Sequence, residues 1–279
     1  MKQFKTLIIN EWNTHRRTLL APMWMLAAIY GITLLGIIIG YIKGGANASI
    51  NLPPTPWIDR FLYEGSIIFA SILGIVSIWA AIIAVDGMIN GAFKRKCEIL
   101  HHSQPVSLPK IMAAKFVLLA LGSMLLYMLL SLFNTLVVGI FMYFWSSAHL
   151  YYAIMAWLQT GMGVFLSLLF ISSFFWLCAC IFKRKSFFLG LLSILGLEIT
   201  ITILKQTAHL KIPSLIGYLL KLINIRPAIS MAPFIKPTLN DTVNMYWQGF
   251  YSWDTVVKLV CTIVFLIAGY WIYSRRELT

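Results

Sequence analysis

The chain has 279 residues, of which 60% are apolar and only 11% charged, with a formal net charge of +13. Soluble globular chains carry roughly 25% charged residues, so this chain cannot clothe a water-facing surface; a soluble domain, a disordered polymer, a collagen and a disulfide-stapled secreted module are all excluded. The basic excess reads as loops retained on the cytoplasmic side of a membrane and not as a nucleic-acid surface, because no basic block is longer than three residues.

Residues 1–17 place Phe4, Leu7, Ile8 and Trp12 on one side of a helix, with Lys2, Lys5, Asn13, Arg16 and Arg17 around the rest. This is the pattern of an amphipathic helix lying on the membrane surface with its basic side among the headgroups, an elbow leading into the first crossing. A crossing needs about 20 mostly apolar residues. The uncharged runs 18–42 and 65–85, the second bounded by Glu64 and Asp86, meet that length. Between them Pro53, Pro54 and Pro56 forbid a continuous helix, which leaves a short outer loop.

The stretch 86–115 is the longest inner loop, and Ser107 with Pro109 can open a helix over 108–115. From 116 to 182 there is no Asp, Glu, Lys or Arg. One helix of that length would reach about 100 Å, about three bilayers, so it must fold back. The turn is expected at Trp145-Ser146-Ser147-Ala148-His149, among the interfacial aromatics Tyr143, Tyr151 and Tyr152. That gives crossings at 116–144 and 151–182. A fifth follows Lys183-Arg184-Lys185 at 186–204, interrupted by Glu198, and a sixth lies at 255–273. Residues 205–254 read as outer-face helices, with an apolar stretch at 214–225 and an aromatic belt of Tyr246, Trp247, Phe250, Tyr251 and Trp253. The expected fold is an all-α integral membrane bundle of six helices over 18–279. Placing both termini in the cytoplasm puts most of the 22 Lys and Arg residues inside.

The chain contains no G-x-x-x-x-G-K-[ST] phosphate loop, so any ATP must be hydrolysed on another subunit. G-x-S-x-G, H-E-x-x-H and C-x-x-C are also missing, and no catalytic residue, metal site or resident cofactor is expected. Cys178, Cys180 and Cys261 stand in apolar text and read as small buried hydrophobes, with Cys97 in the inner loop. His101-His102, close to Cys97 and Glu98, reads as loop surface, since adjacent histidines point to different sides of a helix. An acid inside a crossing is costly and marks function by default; Glu198 is either such a residue or a structural hydrogen-bonding partner of a neighbouring helix. Asn134, Gln159 and Thr160 read as polar adhesive between helices, and Gly161 and Gly163 as points of close approach.

The layout resembles the membrane subunit of ABC-2 type ABC transporters, mostly bacterial exporters. The likeness rests on an amphipathic start ending in Glu11 and Arg16-Arg17, on six crossings, and on an inner loop of the form acid, aliphatic pair, Pro-Val-Ser, aliphatic, Lys. Here the loop reads Glu98-Ile99-Leu100, Pro105-Val106-Ser107, Ile111 and Lys115; the closing 273–278 is a short basic tail. Where the family carries an acid before this loop and leucines before the proline, this chain has Lys94-Arg95-Lys96 and His101-His102.

The resemblance implies a permease in the cell's inner membrane that pairs with a second permease copy or a homologue. Two ATPase subunits, which carry ATP and Mg, would dock on the pair. Lys94, Arg95, Lys96, Glu98, Ile99, Leu100, Gln104, Pro105, Val106 and Ser107 would form the ATPase-coupling element. Glu11, Trp12, Arg16 and Arg17 would form the elbow that braces it. Glu198, Asn134 and Gln159 would be polar candidates for the translocation path. The alternatives are a lipid-modifying membrane enzyme, which needs a cluster of titratable groups at one interface, and a secondary transporter with Glu198 as its coupling acid.

Overall fold

The computed structural model describes residues 2–42, 55–94, 107–146, 148–182, 185–208, 214–223 and 238–276. Among these residues there is no strand. The helices are α1 (Lys2–Leu19), α2 (Ala21–Ile42), α3 (Thr55–Lys94), α4 (Leu108–Val117), α5 (Ser123–Ser146), α6 (Leu150–Ile181), α7 (Ser186–Ala208), α8 (Leu215–Ile223), α9 (Leu239–Phe250) and α10 (Trp253–Arg276). A single π-helical turn, Leu118–Gly122, joins α4 to α5. Six stretches are long and apolar enough to cross a membrane: Phe4–Gly40, Trp57–Gly91, Leu108–Ser146, Leu150–Ile181, Ser186–Thr207 and Leu239–Arg275. The chain is an all-α, multi-pass membrane protein.

The charge-free runs mark the middle of each crossing and not the ends of its helix. The second crossing is a helix of 40 residues, about 60 Å long at the usual rise, because the charges flanking its apolar run are satisfied where they stand. Arg60 Nε donates to Glu64 Oε1 at 2.9 Å one turn on, and Asp59 accepts from His149 through both oxygens at 2.9 Å. At the far end of α3, Asp86 accepts from Ser186 Oγ at 2.6 Å and from Asn90 Nδ2 at 2.8 Å. The helices flanking the expected inner loop therefore reach into 86–115 from both sides: α3 runs to Lys94 and α4 starts at Leu108.

The chain breaks where backbone chemistry requires it. Pro22, with no N–H, cannot continue the helical ladder of α1, but it is tolerated in the first turn of α2. Leu20 forms the joint, its carbonyl accepting from Met23 N at 3.0 Å and Trp24 N at 3.2 Å. The turn between α5 and α6 falls at 147–149, inside the expected Trp145–His149 segment. The sixth crossing begins with a capping box: Thr238 Oγ1 accepts from Asp241 N, and Asp241 Oδ2 accepts from Thr238 N at 3.0 Å. It then breaks at Tyr251-Ser252 and resumes as α10.

α6 is the axis of the bundle, with most of its positions between Ala153 and Cys180 buried. It runs parallel to α3, because early pairs with early (Tyr63 with Gln159) and late with late (Asn90 Nδ2 to the Phe182 carbonyl, 3.3 Å). Two parallel neighbours require a returning helix between them, and α5 supplies it, with Trp157 of α6 donating to Ser131 Oγ at 3.1 Å. In lipid the apolar exterior gains nothing from hiding, so close packing and interhelical hydrogen bonds must hold such helices together. Glycine permits the closest approaches: a Cβ on Gly74 would collide with Val164 of α6, and one on Gly161 would stand 2.6 Å from Met128 Sδ.

The largest core lies at the end of the bundle where α1 sits. There Leu19, Val85, Met88, Leu119, Trp176 and Leu222 are buried together, with Phe116 edge-on to Trp176 at 5.5 Å between ring centres. Cys178 and Cys180 are buried in apolar surroundings, and Cys261 is half-buried. α8 and α9 lean into the bundle alongside the crossings. α8 buries Leu222 against the main core, and α9 buries Val243 against Tyr63 and Ala156. Beyond α9 the belt residues Tyr251 and Trp253 stand exposed.

Candidate functional site

The apolar stripe of α1 packs as its spacing dictates: Phe4, Leu7, Ile8 and Trp12 are half-buried, while Lys5, Arg16 and Arg17 are exposed. Ile8 and Trp12 lie against the main core. The same face carries Glu11 and His15, one turn apart, with His15 Nε2 3.6 Å from Glu11 Oε2. Glu11 Oε1 lies 3.6 Å from Lys115 Nζ of α4, whose side chain is only 6% exposed. The Lys115 ammonium also donates to the Met88 carbonyl of α3 at 2.6 Å. His15 fills the space over Gly87, where a Cβ would stand 2.8 Å from the imidazole Cε1.

Three helices thus meet in one clasp. α3 leads into the segment 95–106 and α4 leads out of it, and α1 is fastened to both through Glu11, His15 and Lys115. A second fastening lies at the same end of α3, where Asp86 and Asn90 tie it to the start of α7 and the end of α6 through Ser186 and the Phe182 carbonyl. A force applied to 95–106 therefore reaches α1, α3, α6 and α7 through buried polar contacts and not through lipid-exposed side chains.

Of the expected coupling residues, Arg95, Lys96, Glu98, Ile99, Leu100, Gln104, Pro105 and Val106 lie outside the described residues, as do Cys97, His101 and His102. Lys94 is the last residue of α3. Ser107 stands at the cap position of α4, but its hydroxyl makes no capping bond; its carbonyl accepts from Lys110 N at 3.0 Å, and Pro109 sits in the first turn. The elbow residues fall into two groups: Glu11 and Trp12 face the bundle, and Arg16 and Arg17 face outward.

The three polar residues expected in the crossings do not converge on one site. Asn134 of α5 is buried and accepts from Tyr30 OH of α2 at 2.9 Å. Gln159 of α6 is buried and joins two partners: it accepts from Tyr63 OH at 2.5 Å and donates to the Val243 carbonyl of α9 at 2.8 Å. Both are helix-to-helix adhesive. Glu198, near the middle of α7, accepts from Ser214 Oγ at 2.8 Å and from Ile216 N at 3.0 Å. Its carboxylate thereby caps the start of α8, as an acid at a helix N-terminus does.

The other end of α8 is tied to α10 by Lys221 and Asp254, 2.9 Å apart. Hydrogen bonding to Asp254 holds the Lys221 ammonium above its ordinary range. Removing the cap with Glu198→Ala is expected to fray α8 and speed amide exchange across 214–223. Glu198→Gln, which keeps an acceptor oxygen, should retain most of the protection. Equal exchange in all three proteins would show that the cap does not hold α8.

The sequence reading missed the pairing of Lys115 with Glu11 and of Gln159 with Val243, both between helices far apart in the chain. It also passed over the capping box at Thr238 and Asp241, although T-x-x-D is a readable start signal. No group of three or more His, Cys, Asp or Glu able to hold a metal occurs among the described residues.

Fold and clasp together describe a polytopic helical membrane protein with an amphipathic helix fastened to one end of its bundle. No family model, curated protein or solved structure matches the chain.

Proposed function

We propose that the chain is the permease subunit of an ABC-2 type transporter, an exporter whose paired permeases form the path and whose separate ATP-hydrolysing subunits supply the work. The observation that carries this reading is the clasp of α1 on both helices flanking 95–106. A chain with no phosphate loop uses ATP only if an outside engine pushes on a rigid part of it. Such a push rearranges a bundle only where the contact is stiff, and the buried Glu11–Lys115–Met88 junction is stiff and placed at the root of the loop. In this reading the clasp end faces the cytoplasm, because Lys110 and Lys115 of α4, Lys185 before α7 and Arg275 of α10 belong to that end, and Lys94, Arg95, Lys96, Lys183 and Arg184 adjoin these helices in the sequence. The lipid-modifying and secondary-transport alternatives gain no comparable support, since Glu198 is engaged as a helix cap.

The test is purification from native membrane, with identification of co-purifying subunits, followed by reconstitution. A nucleotide-hydrolysing partner should accompany the chain. Glu98→Lys combined with Pro105→Ala should either release that partner or leave it hydrolysing ATP without transport. Wild-type coupling in this double variant, or cargo movement by the chain alone, would overturn the proposal.

A further inference from the structure

Between α3, α6, α7 and α8 lies a cavity of about 650 Å³, within the range that holds small ligands. One wall is aliphatic, built from Ile68, Ile72 and Ile75 of α3. One end is aromatic: Phe175 of α6 and Phe187 of α7 stack with ring centres 5.3 Å apart, and Trp79 of α3 tilts against Phe187 at 5.6 Å. Among the described residues no charged side chain lines the space, and Ser71 contributes a hydroxyl.

α8 borders the cavity without filling it, and the space stays open toward the outside of the bundle. Tyr218, Leu219 and Leu222 of this short helix pack into the main core, whereas Leu220 and Ile223 turn toward the cavity and remain open, 63% and 39% exposed. Apolar interiors ordinarily close up to crystal-like density. Here the two polar fastenings, Glu198 at one end of α8 and Lys221–Asp254 at the other, fix the helix where its cavity-facing side chains do not collapse onto α3.

We propose that this cavity binds a neutral hydrophobic molecule carrying a planar ring, taken from the hydrocarbon layer. The uncharged lining selects against ionised groups, whose desolvation nothing there repays. The half-exposed face of Trp79, backed by Phe187 and Phe175, offers a ring a stacking surface. As a cargo site the assignment rests on the permease reading, but its binding test does not.

The probe is N-phenyl-1-naphthylamine, an uncharged planar fluorophore, titrated into the full chain in nanodiscs with protein-free nanodiscs as the partition control. A saturable component above linear partition is expected. Ser71→Trp, which fills the cavity, should weaken it at least tenfold, and Ile75→Phe should do so if the first variant does not assemble. Leu129→Trp, on the exposed face of α5, should leave it unchanged. Partition that stays linear, or saturable binding equally strong in the filled variants, overturns the assignment. An ATPase that assembles and couples while the probe fails to saturate defeats this inference alone. Saturable binding in a chain with no ATPase partner upholds the cavity and defeats the permease reading.

Discussion

Lys115→Met is expected to destabilise the protein by about 3 kcal/mol, the usual cost of removing one partner from a buried pair. The substitution keeps the length and most of the volume of the side chain, so the loss falls on electrostatics and not on packing. The ammonium of Lys115 donates to the Met88 carbonyl and balances Glu11, and its side chain is 6% exposed against 13% for Glu11. Without it the Glu11 carboxylate keeps the His15 imidazole of its own helix as a neighbour at 3.6 Å. Two measurements check this: the melting temperature in detergent, and the rate at which protease cuts α1 away from the bundle.

Adding Glu11→Gln to Lys115→Met should restore much of the stability, because exchanging both members of a buried pair is far cheaper than orphaning one. A coupling of about 1–3 kcal/mol in the double-mutant cycle is the expected signature of a direct interaction. Additive losses would mean that Glu11 and Lys115 do not hold α1 through each other. If the permease reading is right, the single variant should also lower transport per ATP hydrolysed, since α1 would no longer stiffen the base of the loop.

Gln159→Leu is expected to cost about 2 kcal/mol, from two buried hydrogen bonds lost at roughly 1 kcal/mol each. The Tyr63 hydroxyl loses its Gln159 acceptor and the Val243 carbonyl its side-chain donor, and both residues are more than nine-tenths buried. α9 should loosen first, because the Gln159–Val243 bond joins it to α6 and the Tyr63–Tyr246 contact, 6.5 Å between ring centres, joins it to α3. Faster amide exchange across 239–250 and a shift in Trp247 emission would report this. Tyr63→Phe, which removes only the hydroxyl, should cost about 1 kcal/mol. An unchanged α9 in Gln159→Leu would show that apolar packing alone holds it.

The number of crossings, the amphipathic helix at the start of the chain and the turn after Trp145 were legible because each has a local cause. A bilayer demands a run of apolar residues, an interface sorts a helix by its faces, and a charge-free stretch too long for one crossing must turn. The start of α4 at Leu108 was legible for the same reason, since Pro109 suits a first helical turn. Pairings between distant segments have no local cause. Glu198 looks like an isolated acid along the chain, yet Ser214 and Ile216 return to it after a reversal that no periodicity announces. Lys115 falls at the edge of an uncharged run and reads as an interfacial anchor, whereas in the fold it is among the most buried of the charged residues described. Helix ends were overshortened for a related reason, because Asp59, Glu64 and Asp86 break the apolar run without breaking the helix that carries them.

The π-helical turn at Leu118–Gly122 follows directly on Lys115. A turn of this kind amounts to one residue inserted into the helix, so everything beyond it is rotated by about a quarter-circle, the 100° that one residue contributes at 3.6 per turn. That offset lets one continuous rod offer Lys115 to the amphipathic helix at its base while Tyr127, Ser131 and Asn134 higher up meet α3, α6 and α2. The third crossing therefore turns one side to the clasp below the inserted residue and another side to its neighbours above it, which a regular helix of the same sequence could not do at once.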